Sequence, residues 1–179
     1  AHSLRDSKMS SSRWFDLYLQ CIQHMRTMFH TCHLVHGDLS EYNMLYMSKL
    51  LYIIDVSQSV EHDHPNAFEF LRIDCANVNR YFDEKGVLTL SNSDLYKFII
   101  TNHDEIPNIE HDIDTFLDTL LDKTLERQER GGMTHEEEIA EHVFQQVYIP
   151  RSLDEIDDVQ RELDRNQQHV NAQKEGGLP

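Results

Sequence analysis

Apolar residues recur every three or four positions along most of the chain, which predicts helices that each bury one face. The first such pattern covers residues 13–29. A second is expected to begin near Pro65, which suits a first helical turn, and to end at Gly86. Two more follow at 94–100 and 112–130. The chain is therefore predicted to be mainly helical.

The apolar spacing changes between the first two helices. Leu34-Val35 is a short extended piece, and residues 36–43 are polar. Residues 44–46 and 50–54 read as two strands separated by Ser48-Lys49, so they predict a β-hairpin. The fold class that follows is α+β, mainly helical, with one small hairpin directly after the polar stretch.

The two ends of the chain are expected to differ from its middle. Residues 1–12 are polar and serine-rich and are predicted to be a linker before a domain at 13–150. Thr134 and Glu137 have capping-box spacing for a helix through Val147, which Pro150 would stop. Residues 151–179 are predicted to hold a last helix, with Ser152 and Glu155 placed to cap it, and a polar tail.

Charge and cysteine content limit the function classes. The 32 acidic and 16 basic residues give a formal net charge of -16, which repels phosphate backbones, so direct nucleic-acid binding is not expected. Three cysteines spread among apolar neighbours indicate a reducing compartment rather than a disulfide framework. No apolar run approaches the length of a membrane span. The chain begins at Ala1 without an initiator methionine and is expected to be a piece of a longer protein.

The polar stretch and the hairpin carry the candidate chemistry. Residues 34–56 read LVHGDLSEYNMLYMSKLLYIIDV, in which His36, Asp38 and Asn43 form H-x-D-x-x-x-x-N and Asp55 ends the hairpin. Phosphoryl transfer needs a carboxylate beside the attacking group and oxygen ligands that hold magnesium on the phosphates. By role, Asp38 is the predicted base or positioning group, and Asn43 and Asp55 are the predicted magnesium ligands. The motif also arises by chance, but its agreement with a strand-turn-strand context favours function.

The same residues resemble a known family. LVHGDLSEYNMLY, followed by YIIDVSQSVEHDHPNAFEFLRIDCANVNRYF, is similar to the catalytic half of the RIO family of atypical protein kinases, closest to its first subfamily. The resemblance implies the C-terminal lobe of a protein-kinase-like fold, with ATP and Mg²⁺ as cofactors. It implies Asp38 as proton acceptor, Asn43 and Asp55 as metal ligands, and Asp55 as a possible acceptor of the phosphoryl group. It also implies an ATPase-like switch that acts in the cytoplasm on precursors of the small ribosomal subunit.

Departures from ordinary kinases refine this expectation. Gly37 replaces the arginine of H-R-D, Ser40 stands where many kinases place a lysine, and no A-P-E motif follows Asp55. Protein phosphorylation is therefore not expected to be the main activity. The sequence also holds no glycine-rich phosphate loop and no strand lysine of the V-A-I-K kind. Nucleotide contacts are expected mostly in an N-terminal lobe, and this chain by itself is expected to be inactive.

Two alternatives remain open, and the second belongs to another functional class. Small-molecule kinases of the aminoglycoside or choline type share H-G-D-x-x-x-x-N, but generally place an aromatic residue after the metal aspartate, where this chain has Val56. The other alternative is a helical metal-binding or interaction module, with zinc on the histidines and aspartate at 33, 36 and 62–64. Asp74 interrupts an apolar helical stripe. It is either a solvent-facing acid or an acceptor for the catalytic-loop backbone.

Overall fold

A computed structural model describes residues 2–4, 9–102 and 112–146 of this chain. Its strands and helices, in chain order, are β1 (His2–Ser3), α1 (Ser11–His30), β2 (Leu34–Val35), β3 (Met44–Met47), β4 (Leu50–Ile53), β5 (Val60–Glu61), α2 (Ala67–Glu84), α3 (Asn92–Ile100), α4 (Ile113–Glu129) and α5 (His135–Gln146). Single 3-10 turns at Glu41–Asn43 and Val56–Gln58 flank the hairpin. The architecture is mostly helical, as predicted, but it holds two small sheets where a single hairpin was expected.

Helices α1, α2 and α3 pack together around the main core. The buried stripe of α1 follows the three-four spacing of the sequence, and Leu17, Tyr18 and Ile22 are fully buried. The side chain of Ser10 caps α1 by accepting a hydrogen bond from the backbone N–H of Arg13. The 13–29 prediction is confirmed, with α1 slightly longer at both ends.

Helix α2 begins two residues later than predicted. Pro65 lies in the preceding turn, which the backbone N–H of Ala67 closes by donating to the His64 carbonyl at 2.9 Å. The first intrahelical bond runs from Phe70 N–H to the Asn66 carbonyl at 3.0 Å. The helix ends as expected, because Gly86 takes a left-handed conformation with φ of 76°.

The predicted hairpin is confirmed, with Met44 paired to Ile53 and Met47 to Leu50. Ser48 and Lys49 both have positive φ, 53° and 71°, as a two-residue turn of the I′ type requires. Strand β1 adds a third strand by pairing with β3.

Residues 2–4 therefore do not match the linker expected at 1–12. His2 and Ser3 pair with β3, and Leu4 is fully buried in the core. Because the surrounding residues are polar, the sequence gives no indication of this strand pairing or of the burial of Leu4. A single buried leucine beside two ladder residues gives no periodic signal.

Strands β2 and β5 form a second small sheet, and β5 was not predicted. Leu34 pairs with Glu61 and Val35 with Val60, in antiparallel register. This pairing brings the chain just before residue 36 next to the chain just after residue 59. The polar loop, the hairpin and Asp55 thus belong to one closed unit.

Charged side chains attach α4 and α5 to the core. Asp94 of α3 is 2% exposed and accepts hydrogen bonds from Lys123 Nζ at 3.0 Å and an Arg127 guanidinium nitrogen at 2.6 Å. Arg127 also donates to Glu137 of α5 at 3.1 Å. A buried acid with paired cations holds three helices together, because leaving either partner alone is costly.

The capping box of α5 is confirmed. Thr134 N–H donates to Glu137 Oε2 at 2.8 Å, and Glu137 N–H donates to Thr134 Oγ1 at 3.2 Å. The backbone N–H of Thr134, with Arg130 and Arg127, lowers the pKa of Glu137 to about 2. The predicted helix end near Val147 to Pro150 and the last helix of 151–179 lie outside the described residues. Within the ranges that the structure describes, no helix is both long and apolar enough for a membrane span.

Candidate active site

A tight backbone bend begins the loop that carries Asp38. Gly37 has φ of 80°, and a Cβ at this position would lie 2.9 Å from the backbone oxygen of Gln58. Both the positive φ and the close approach exclude larger residues. Glycine instead of the arginine of H-R-D is therefore a structural requirement of this loop, because the turn at 56–58 packs directly against it.

Asp74 fixes the loop from the core side. Its carboxylate accepts hydrogen bonds from Gly37 N–H and from Leu39 N–H, each at 2.8 Å. The residue is 1% exposed, so the solvent-facing interpretation is wrong and Asp74 supports the backbone on both sides of Asp38. Burial raises the pKa of the Asp74 carboxyl, and the two N–H donors act in the opposite direction.

We expect Asp74→Asn to loosen this loop. An amide offers only one acceptor oxygen, so one of the two loop N–H groups loses its partner. The free energy of local opening should fall by about 1–3 kcal/mol, the cost of one unsatisfied buried donor. Amide hydrogen exchange at Gly37 and Leu39 measures it, and Asp118→Asn on the exposed face of α4 is the matched control. Unchanged exchange at both amides would show that Asp74 does not hold the loop.

His36 connects the loop to the end of the hairpin. Its Nε2 lies 3.1 Å from the carbonyl oxygen of Ile54, and its Nδ1 lies 3.3 Å from the backbone nitrogen of Asp38. A carbonyl only accepts and a backbone N–H only donates, so the proton of the neutral ring sits on Nε2. The buried ring thus spans the two segments that carry Asp38 and Asp55.

Asn43 lies between the same two segments. Its Nδ2 donates to the backbone oxygen of Asp38 at 2.8 Å and contacts Asp38 Oδ2 at 3.4 Å. The backbone N–H of Ile54 donates to the Asn43 carbonyl at 2.9 Å. Because Nδ2 makes both side-chain contacts, Oδ1 is the amide atom that remains for a cation. The structure therefore brings Asp38, Asn43 and the residue before Asp55 together.

Asp55 is exposed and adopts an uncommon backbone conformation. Its φ of 59° and ψ of 65° are left-handed, which is rare for residues other than glycine and is most readily tolerated by Asn and Asp. The Ser57 hydroxyl donates to Asp55 Oδ1 at 2.6 Å, and Ser57 N–H contacts the same oxygen at 3.4 Å. The hydroxyl is the main cause of a lowered pKa for Asp55, with the N–H second. The carboxylate is thereby favoured in its charged form.

The donor chemistry at this site fits magnesium. Carboxylate and amide oxygens are hard ligands, and Mg²⁺ usually takes only one or two carboxylates while water and phosphate oxygens complete its shell. Asn43 Oδ1 and the Asp55 carboxylate would hold it here. No geometry for the ion follows from this fit.

The histidines at positions 33, 36, 62 and 64, which the structure describes, do not form a zinc site. Among the described residues, no group of three or more His, Cys, Asp or Glu side chains is arranged to hold a metal ion. The rings of His33 and His62 lie 4.8 Å apart and tilted, and His36 faces the Ile54 carbonyl. The zinc-binding alternative has no support in this part of the chain.

Two functional candidates escaped the sequence reasoning, Ser57 and Gln58. Ser57 contacts Asp55, and the Gln58 Nε2 lies 3.4 Å from Asp38 Oδ2. The signal for Ser57 was present, because an aspartate often accepts from the backbone two residues later in a turn. Nothing in the spacing indicated that Gln58 reaches back across 20 residues to Asp38.

The region that contains the candidate site matches a known protein family. The family model described as "RIO domain" matches residues 1–95, more than half of the chain and all of the candidate site. "Serine/threonine-protein kinase rio1" of Dictyostelium discoideum is 48% identical over 165 residues, which cover 92% of this chain and 28% of that protein. "Serine/threonine-protein kinase RIO1" of Homo sapiens is 44% identical over 164 residues, covering 90% of this chain and 28% of that protein.

A relative from another subfamily matches a shorter stretch. "Serine/threonine-protein kinase RIO3" of Homo sapiens is 44% identical over 100 residues, 55% of this chain and 19% of that protein. The chain thus spans about 28% of the length of the two RIO1 relatives.

Proposed function

Because this chain belongs to the RIO family, we propose that it carries the catalytic loop and metal aspartate of an ATP-dependent phosphotransferase or ATPase. One observation supports this above the others. The hydrogen bond of 2.9 Å from Ile54 N–H to the Asn43 carbonyl joins the loop that contains Asp38 to the strand that leads into Asp55. This contact supports the proposal because it places the segment of the proposed base beside the segment that leads into the proposed metal ligand Asp55. Residues 13–150 are proposed to form the C-terminal lobe of the kinase-like fold.

Each side chain of the candidate site has a separate proposed role. Asp38 accepts, or positions, the proton of the attacking hydroxyl or water, and its backbone is held on both sides by Asp74. Asn43 and Asp55 are the proposed ligands of magnesium, which when bound supplies positive charge against the phosphates of ATP. His36 holds the segment that carries Asp38 against the segment that carries Asp55. Rigid backing matters because phosphoryl transfer depends on positioning and electrostatics.

Asp55 is also a proposed phosphoryl acceptor. One carboxylate oxygen would attack the γ-phosphorus as the bond to the ADP oxygen breaks, and water would later cleave the acyl phosphate to aspartate and phosphate. The exposed position and the charged form of Asp55 support this step. Helix α2 begins 12 residues after Asp55, which leaves little room for a peptide platform that would present another acceptor. The alternative is that Asp55 only holds metal while water attacks directly.

The small-molecule kinase is the competing function. Small-molecule kinases share the H-G-D motif with this chain, but here the packing of Gly37 against Gln58 explains the glycine. The relatives reported above are named serine/threonine-protein kinases. We expect the complete protein to release phosphate from MgATP without an added acceptor. Aminoglycosides or choline should leave ADP production unchanged, because the proposed reaction needs no small-molecule acceptor. Phosphorylation of either compound, found by mass spectrometry, would favour the competing function.

The proposed partner is a precursor of the small ribosomal subunit in the cytoplasm. This rests on the family resemblance alone. The tagged complete protein should sediment on a sucrose gradient with particles of the small-subunit size, and more of it should do so when Asp38→Ala blocks turnover. A profile confined to free protein in both forms would count against this partner.

A further inference from the structure

We propose that Ser57 and Gln58, which follow the metal aspartate, are positioning residues that hold the two working carboxylates of the proposed phosphotransferase. This inference rests on the proposed function. Both residues belong to the single 3-10 turn Val56–Gln58, directly after Asp55.

Ser57 holds Asp55. Its hydroxyl donates to Oδ1 at 2.6 Å, a short bond to a charged acceptor, and its N–H points to the same oxygen. Asp55 Oδ1 is therefore engaged by protein. Within the described part of the chain, Oδ2 accepts no hydrogen bond and is the oxygen left for a cation or a phosphorus atom.

Gln58 contacts Asp38 through a longer hydrogen bond. Gln58 Nε2 and Asn43 Nδ2 each lie 3.4 Å from Asp38 Oδ2. In the residues that the structure describes, Asp38 Oδ1 accepts no hydrogen bond, so one oxygen is restrained and the other is left for the attacking group. The backbone oxygen of Gln58 also packs against Gly37, which keeps the turn beside the loop.

The turn therefore couples the two halves of the site. A shift of residues 56–58 would change the Ser57–Asp55 hydrogen bond and the Gln58–Asp38 hydrogen bond at the same time. Partners that orient metal ligands and catalytic groups commonly change metal affinity or activity about 10–100-fold when removed. Ser57 and Gln58 are both exposed, so their replacement removes a hydrogen bond without opening a core cavity.

The test uses the complete protein with three variants of these two residues and two control variants. Ser57→Ala removes the hydroxyl and Ser57→Thr keeps it, while Gln58→Leu removes the amide at similar size. Ser12→Ala and Gln128→Leu, on exposed faces of α1 and α4, serve as matched controls for the two substitution types. Mn²⁺ binding in the presence of ADP, followed by electron paramagnetic resonance, reports the metal site independently of turnover. Steady-state ATP hydrolysis gives kcat and KM.

Each residue has its own expected signature. Ser57→Ala should weaken Mn²⁺ binding about 10-fold, and Ser57→Thr should restore it. Gln58→Leu should leave Mn²⁺ affinity unchanged and lower kcat about 10-fold with KM for ATP unchanged, because Asp38 acts in the transition state. The controls should behave like wild type. Melting temperatures measured without ligand should be equal in all variants.

Other outcomes overturn the inference in distinguishable ways. If Asp38→Ala and Asp55→Asn lose activity but Ser57→Ala and Gln58→Leu match wild type, the positioning roles are wrong and the proposed function stands. If Ser57→Thr fails to restore binding, or Ser57→Ala lowers the melting temperature, the serine is structural. If wild type neither binds Mn²⁺ with ADP nor hydrolyses ATP, the proposed function fails and the inference fails with it.

Discussion

Replacing Asp38 with alanine in the complete protein is expected to slow phosphate release about 10²–10⁴-fold, the usual contribution of a positioned acid or base. ATP binding should survive, because the carboxylate acts on the attacking group and makes its main interaction in the transition state. The loop itself should stay in place, since Asp74 holds the backbone N–H groups of Gly37 and Leu39 rather than the Asp38 side chain.

Single-turnover phosphate release and equilibrium binding of a fluorescent ATP analogue separate these two effects. Asp63→Ala is the matched control, because Asp63 is an exposed aspartate in the neighbouring turn. Loss of ATP binding with an unchanged rate constant for the bound nucleotide would mean that Asp38 is not the proposed base.

Asp55→Asn is expected to abolish covalent labelling of the complete protein by γ-labelled ATP. An amide oxygen is a poor nucleophile toward phosphorus and a weaker metal ligand than a carboxylate, so both proposed roles of Asp55 are affected. In wild type, hydroxylamine should release the label, as it does from an acyl phosphate. Ser57→Ala keeps the carboxylate and removes the nearest hydroxyl, so it separates labelling of Asp55 from labelling of Ser57.

The control for this experiment is Asp63→Asn, which changes the net charge equally at an exposed position. Label that resists hydroxylamine, or that persists in Asp55→Asn, would identify an ordinary serine or threonine as the acceptor. Label that disappears only in Ser57→Ala would place it on that hydroxyl.

Local patterns predicted most of the elements correctly. The spacing of apolar residues in α1 to α4 reports which face each helix buries, and this periodicity survives in any tertiary arrangement. The turn residues Ser48 and Lys49 and the helix terminator Gly86 were predictable for the same reason, since they act within a few residues. Contacts that involve one or two residues were missed, including β1, β5 and the buried Leu4.

Some residues of the candidate site were identified from the sequence, whereas the role of Asp74 required the structure. Asp38, Asn43 and Asp55 were recognisable because the chemistry requires those residue types at that spacing, and the structure brings their segments together. The role of Asp74 was left open, because an acid within an apolar helical stripe faces solvent or accepts buried donors depending on what packs above it. Only the fold shows two loop N–H groups there.

The sequence alone determined the helices, the hairpin and the residue types available for phosphoryl transfer, because these depend on local spacing and side-chain chemistry. Tertiary structure decided which oxygens are restrained and which are left for ligands. It placed Asp74 beneath the loop, directed Gln58 to Asp38 across 20 residues, and brought Gly37 against the turn at 56–58. Such contacts join residues far apart in sequence, and their distances depend on the packing of the whole domain rather than on any short stretch of chain.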